Sequence, residues 1–188
     1  MGVEFTFKIV VGGAGGVGKT TLLLRYLKNV FKTDTALTVG VGFHTKELER
    51  NGHKIALALW DLGGQDRFRF LQPSYCAGAR AGIIFFDMAR LGTLSQVKEW
   101  ATMFRKHTSS SLPIFLGGTK LDTIDPELVD GINAIAKETV EKLGLIGYMT
   151  TSSKSGTNVE EIINNLADML VSQATQSKTA PAVPSIAR

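Results

Sequence analysis

The sequence predicts an α/β fold in three layers: an open, mostly parallel six-stranded sheet with one antiparallel edge strand and helices on both faces. Three observations point there. An apolar run, a glycine-rich loop and a helical run follow one another near the N-terminus. An Asn-Gly pair then joins two extended segments, and beyond them apolar strand-like runs alternate with longer helical patterns. Finally, the polar residues suited to chemistry fall at the carboxyl ends of the expected strands, where open α/β sheets bind their ligands.

Taken in order, Phe5–Val11 reads as a buried strand and the segment from about Lys19 to Asn29 as a helix, followed by the polar loop Lys32-Thr33-Asp34-Thr35. Phe43–Arg50, Asn51-Gly52 and His53–Asp61 read as strand, tight turn and strand, because Asn-Gly supplies the positive φ angles of a two-residue hairpin. An irregular segment to Pro73 leads to a buried strand, Gly82–Asp87, and a helix from about Thr93 to His107, in which Trp100 and Phe104 share a core-facing side. Pro113–Thr119 is the fifth strand, Pro126–Leu143 a helix and Tyr148–Ser152 the sixth strand. The last helix, Asn158–Ser172, carries Val159, Ile162, Ile163, Leu166, Met169 and Leu170 on one face. A domain over residues 5–172 with a flexible tail over 173–188 is the expected organisation.

Composition fits one domain: 188 residues, 44% hydrophobic, are enough for a single core. The net charge of +4 comes from scattered Lys and Arg with no basic run, so neither nucleic acid nor a membrane surface is indicated. No apolar stretch is long enough to span a bilayer, the N-terminus lacks a signal-peptide layout, and the last residues hold no cysteine for a lipid anchor; a cytoplasmic monomer is expected. The lone Cys76 fits a reducing compartment and reads as a small core residue. His44, His53 and His107 read as surface residues.

The most specific motif is Gly13-Ala14-Gly15-Gly16-Val17-Gly18-Lys19-Thr20, which satisfies G-x-x-x-x-G-K-[ST] at every specified position. Its glycines let the backbone N–H groups of Gly15, Gly16, Val17, Gly18, Lys19, Thr20 and Thr21 converge on phosphate oxygens at a helix N-terminus. Lys19 can reach the β and γ phosphates and the Thr20 hydroxyl a Mg²⁺ ion. In Trp60-Asp61-Leu62-Gly63-Gly64-Gln65, Asp61 ends a strand where it can hold that Mg²⁺ through water, and Gly64 permits close approach to a phosphate. Alone, Asp-x-Gly-Gly is a common turn; behind a phosphate loop it is a second ligand element. In Thr119-Lys120-Leu121-Asp122, the carboxylate can accept hydrogen bonds from the N1–H and N2 amino group of guanine, a pair adenine lacks.

With these motifs the chain resembles the Ras superfamily of small GTPases from about Phe5 to Leu170, which implies the P-loop NTPase architecture of a small G domain. Val39-Gly40-Val41-Gly42-Phe43, Gln65-Asp66-Arg67-Phe68-Arg69 and Tyr75-Cys76-Ala77-Gly78-Ala79 are similar to the switch signatures of Rab proteins, and Phe43, Trp60 and Tyr75 match the Rab aromatic triad, an effector surface. The resemblance implies Thr38 as the switch threonine on Mg²⁺ and Gln65 as the residue that orients the attacking water. It places Phe31 on the guanine, Lys120 along it, and Ser152, Ser153 and Lys154 around its O6. It further implies bound GTP or GDP, an exchange factor, a GTPase-activating protein and an effector. Lys19, Thr38 and Gln65 would then carry slow GTP hydrolysis. Arg25, Arg67 and Arg69 are the arginines nearest the motifs in sequence and read as solvated or partner-facing, so the sequence commits no arginine in cis.

Four features depart from the Rab pattern. Thr119 stands where most members place an asparagine, although Rho proteins also carry Thr-Lys-x-Asp; Gly63-Gly64 is more similar to Arf proteins and heterotrimeric α-subunits; Thr35 replaces a frequent tyrosine; and the lipidated tail is missing from this sequence. Two other readings share parts of these motifs: a P-loop ATPase or nucleotide kinase, which would not require Asp122, and a nucleotide-locked binding module with little hydrolysis.

Overall fold

In the computed structural model, which describes residues 2–32, 38–64 and 72–179, one sheet of six strands runs in the order β2-β3-β1-β4-β5-β6. The strands are β1 (Phe5–Gly12), β2 (Val41–Arg50), β3 (His53–Leu62), β4 (Ala81–Asp87), β5 (Ile114–Thr119) and β6 (Gly147–Thr150). Neighbours are parallel except β2 against β3, the hairpin pair, so the expected antiparallel edge strand is present. Its turn has positive φ at both Asn51 (51°) and Gly52 (78°), the backbone that a two-residue hairpin matched to strand twist demands. The strand order reverses direction around β1, and the crevice opened there lies at the carboxyl end of the strand that feeds the phosphate loop.

The helices are α1 (Lys19–Lys28), α2 (Gln72–Cys76), α3 (Val97–His107), α4 (Pro126–Leu143) and α5 (Val159–Thr179). Alternation along β1 divides its side chains between two cores. Phe7, Ile9 and Val11 pack with Leu22 and Leu23 of α1 and Ile162, Ile163 and Leu166 of α5, while Val10 faces Trp100 and Phe104 of α3 and Ile132 of α4. On the α3 side the fit is close. A Cβ on Gly12 would lie 2.4 Å from the Trp100 ring and one on Gly82 2.8 Å from Phe104, so small residues on β1 and β4 admit the two aromatics.

Local chemistry sets the helix ends. Asp125 accepts the backbone N–H of Glu127 with Pro126 in the first turn, and Gly144 at φ 57° closes α4. Arg105 of α3 donates to the Leu143 and Gly144 carbonyls, placing a cation at the negative end of α4.

Of the boundaries that differ from expectation, three have a visible cause. The stretch expected to begin a helix at Thr93 is a 3₁₀ segment, Leu91–Gln96, because the Thr93 hydroxyl accepts the Asp87 N–H and donates to the Arg90 carbonyl, pinning the chain to the end of β4. Strand β6 stops at Thr150, since the Ser152 N–H is taken by the Thr157 carbonyl and no longer faces β5. Helix α5 continues to Thr179, through residues expected to be flexible tail, because Val171 and Ala174 extend its apolar face onto the core. Residues 180–188 lie outside the described residues, as do Thr35, Gln65, Arg67 and Arg69.

Candidate functional site

The carboxyl edge of the sheet brings the described motif residues together around one groove with a phosphate end and a base end. At the phosphate end, Gly13 at φ 129° packs so closely on β4 that a Cβ would lie 2.1 Å from the Phe85 carbonyl oxygen. Gly18 at φ 98° starts α1, leaving that helix's free N–H groups directed into the loop. Gly64 backs the loop from β3, where a Cβ would stand 2.4 Å from the Gly13 oxygen. Residues other than glycine would open this cradle.

Lys19 is only 5% exposed, and its ammonium donates to the Gly13 and Ala14 carbonyls at 2.8 and 3.0 Å. Burial pushes its pKa down to about 8 against the opposing pull of Asp61. Asp61, fully buried, is raised above the usual carboxylate range by desolvation, with the Thr20 hydroxyl and the Lys19 charge resisting. The Thr20 hydroxyl donates to Asp61 Oδ2 at 2.5 Å and lies 2.5 Å from the Thr38 hydroxyl, which also reaches Asp61 Oδ2 at 3.4 Å. Asp61 Oδ1 has no hydrogen-bond partner among the described residues. Two hydroxyls and a carboxylate with an unused buried oxygen form the hard, all-oxygen donor set that suits a small divalent cation such as Mg²⁺. His44, expected at the surface, is half-buried, and its charge would favour ionised Asp61.

At the base end a cavity of about 180 Å³ is lined by Phe31, Thr119, Lys120, Asp122, Ser153 and Lys154, with Val17, Gly18 and Thr21 closing it toward the phosphate loop. Ser152 lies behind this lining, 1% exposed, where its hydroxyl donates to Asp122 Oδ1 at 2.6 Å and accepts the Ser155 N–H. It thereby aims the carboxylate. The Thr119 hydroxyl sits 2.6 Å from the Val17 carbonyl and 2.9 Å from that of Phe86, so a threonine ties the base loop to the phosphate loop where most relatives use an asparagine.

The sequence did not single out two residues that complete the frame. The Gln72 side chain, 4% exposed, donates to the Gly63 carbonyl, while the Gly63 N–H donates to Gly40, joining α2, the end of β3 and the segment after Thr38. A Cβ at Gly63 would lie 2.7 Å from the Gly40 oxygen and 2.8 Å from that of Thr38, which gives the Gly-Gly pair a steric reason. Arg90 is the second. Its Nη2 donates to the Gly15 carbonyl at 3.2 Å and its Nε to Asp87 Oδ2 at 2.8 Å, an oxygen that also accepts Lys120 Nζ at 2.7 Å. Burial alone would raise the Asp87 pKa, but these two cations hold it below the usual carboxylate range. Arg25, by contrast, donates to the Asn29 carbonyl at the end of α1. A strand-ending acid followed three residues later by an arginine was the available signal for Arg90.

Phe43, Trp60 and Tyr75 meet in series as tilted rings, with centroids 5.0 and 5.6 Å apart, and the Lys8 ammonium lies 4.2 Å from the Trp60 ring. Phe43, 55% exposed, is the open end of that row. Among the described residues, no helix is long and apolar enough to cross a membrane.

Comparison with known proteins agrees with this geometry. The model of the Ras family matches residues 8–172. Ras-related protein Rab-8B of Pongo abelii and of Homo sapiens are each 35% identical to the chain over 167 residues, covering 87% of it and 78% of their own length. A phosphate loop at the switch point of the sheet, a base cavity floored by Thr-Lys-x-Asp and a family match over nearly the whole chain lead to one assignment: the chain belongs to the Ras family and is a Rab-like small GTPase, an enzyme that binds GTP and hydrolyses it.

Proposed function

We propose that this GTPase is a slow, Mg²⁺-dependent switch whose loops report whether GTP or GDP is bound. The observation that carries this reading is the trio of half-buried Thr20 and Thr38 with buried Asp61, two hydroxyls and a carboxylate, drawn from α1, the loop before β2 and the end of β3. A bound Mg²⁺ would neutralise charge on the transferring phosphoryl group. Thr20 and Thr38 would ligate it directly and Asp61 through water, with Asp61 Oδ1 gaining the partner it lacks. Lys19 and the N–H groups of Gly15, Gly16, Val17, Gly18, Lys19, Thr20 and Thr21 hold the phosphates, with Gly64 close behind, and Gln65 orients the attacking water. At the base end Phe31 covers the guanine, Lys120 lies along it, Asp122 reads its N1–H and amino group, and Ser153 and Lys154 meet its O6 with Ser152 in support.

Loss of the γ-phosphate would free Thr38 and the segment that begins at Gln65, altering the surface next to Phe43, Trp60 and Tyr75, where an effector docks. Turnover is slow unless a GTPase-activating protein supplies an arginine, and an exchange factor is needed to release GDP. The protein acts as a cytoplasmic monomer. The test is to identify the nucleotide released on denaturing purified protein, then to follow single-turnover GTP hydrolysis by wild type and Gln65→Leu, with and without Mg²⁺. Bound guanine nucleotide and slow, Mg²⁺- and Gln65-dependent hydrolysis are expected. Hydrolysis indifferent to Gln65 would leave a nucleotide-locked module, and bound ATP or ADP a different P-loop enzyme.

A further inference from the structure

Arg90 follows the end of β4 and reaches the phosphate loop with a half-exposed side chain that is anchored at more than one point. Its carbonyl accepts both the N–H and the hydroxyl of Thr93, which fixes the backbone at the end of β4. Its Nε is anchored on Asp87, itself 1% exposed. With both ends held, the guanidinium presents Nη2 to the Gly15 carbonyl at 3.2 Å.

The direction of that bond matters. Among the described residues there is no cis peptide, so the Gly15–Gly16 unit is trans and planar, with its C=O and N–H pointing opposite ways. An arginine on the carbonyl therefore stands on one side of the peptide, and the Gly16 N–H points away from it, the side on which the cradle reading places the phosphates. Gly16 lies at φ 71°, a conformation glycine enters freely and leaves freely, so the loop's own backbone does little to hold this peptide plane. A cation on the carbonyl does two things: it fixes the plane, and it draws electron density toward the oxygen, making the N–H a stronger donor.

We infer that Arg90 is a positioning residue for GTP hydrolysis, aiming and polarising the Gly16 N–H toward the phosphates through the Gly15–Gly16 peptide. It does not touch the nucleotide, so it leaves room for an arginine from a partner. Because Asp87 Oδ2 also accepts Lys120 from the base loop, the same carboxylate holds the base and phosphate ends in one register. The inference rests on the phosphate-cradle reading of Gly16.

The experiment compares guanine-nucleotide-loaded wild type, Arg90→Ala and Arg90→Lys in single-turnover GTP hydrolysis and by the amide shifts of the loop. In Arg90→Ala, hydrolysis should fall about tenfold, the scale of one charge-assisted hydrogen bond. The Gly16 amide proton should move upfield further than those of Gly18, Lys19 and Thr20, and millimolar guanidinium should restore part of the rate. Arg90→Lys, which keeps a charge but not the fork, should fall between the two and covers the case in which Arg90→Ala does not fold. Hydrolysis within twofold of wild type in Arg90→Ala, or in either variant a lower rate with the Gly16 amide unmoved and no rescue by guanidinium, would overturn the inference. A wild type that binds no guanine nucleotide would instead overturn the reading on which it rests.

Discussion

The two ends of the groove are held by different means. At the base end, the polar side chains around the cavity meet other protein groups: Thr119 meets two carbonyls, Ser152 meets Asp122, and Lys120 meets Asp87. At the phosphate end, a lysine and an aspartate are buried with less support. Lys19 leans on two carbonyls, and one oxygen of Asp61 has no partner among the described residues. On the proposed reading, the base end is held by protein contacts alone, while the phosphate end carries a desolvation cost that an anion and a cation would relieve. Selectivity would then rest where the protein is satisfied, and affinity where it is not.

The largest test of that division falls on Asp122. Replacing it with alanine should cut the preference for GTP over ATP on the order of 1000-fold, because guanine's N1–H and amino group would then be buried unpaired. Competition binding with both nucleotides measures it. A preference that survives would place base recognition elsewhere in the cavity.

Lys19→Met probes the other end with a smaller effect of opposite sign in the two states. Since burial lowers the Lys19 pKa from 10.5 to about 8, keeping the charge there costs the nucleotide-free protein stability, so removing it should raise that stability while abolishing tight nucleotide binding. Urea unfolding of the nucleotide-free protein reads the first and nucleotide retention on gel filtration the second. A variant less stable than wild type without nucleotide would show that the lysine is already compensated, and the contrast between the two ends would fail.

Asp87 lies between the ends, and its titration has a definite sign. Its carboxyl is held below the usual value of 3.8 in the folded protein, so it contributes stability above that pH and loses it as pH falls through the folded value. Asp87→Asn should cost about 2 kcal/mol at pH 7, the scale of hydrogen bonds to charged partners, and the gap to wild type should begin to narrow as pH falls below 3.8 toward the lower folded value. Unfolding midpoints taken from pH 7 down to the acid limit of folding give the trend. A gap that does not narrow at any acid pH would mean that Arg90 and Lys120 do not depend on the charge of Asp87.

How much of this was legible in the sequence follows from how local each cause is. The phosphate loop, the Asn51-Gly52 hairpin and the Asp125-Pro126 start of α4 are each specified within a few neighbouring residues, and each lies where the pattern placed it. Thr119, Lys120, Asp122, Ser153 and Lys154 could be placed at one edge because the strand ends were readable, and they line one cavity. What could not be read depends on partners far along the chain. Arg90 meets a carbonyl 75 residues away, Gln72 reaches back to Gly63 around an irregular segment, and Gly12 is small because a ring from α3 fills the space. The extension of α5 had a weaker cause: beyond Ser172 only Ala174, among polar residues, adds to the apolar face, and that was enough to continue a helix already docked.

The finest test concerns the residue that departs from the family at the base end. The Thr119 hydroxyl carries one proton between two carbonyls, Val17 in the phosphate loop and Phe86 in β4, so it can satisfy them only by sharing or alternating. Thr119→Val keeps the shape and removes the donor. It should cost about 1 kcal/mol of stability and speed GDP release by roughly fivefold, because Val17 would lose its tie to the sheet while the cavity walls stayed in place. Unfolding midpoints and release of a fluorescent GDP analogue measure the two effects. Faster release with unchanged GTP-over-ATP preference would separate the tether from base recognition. A loss of that preference equal to the Asp122 variant's would join them, making the two ends a single unit rather than a satisfied frame beside a strained one.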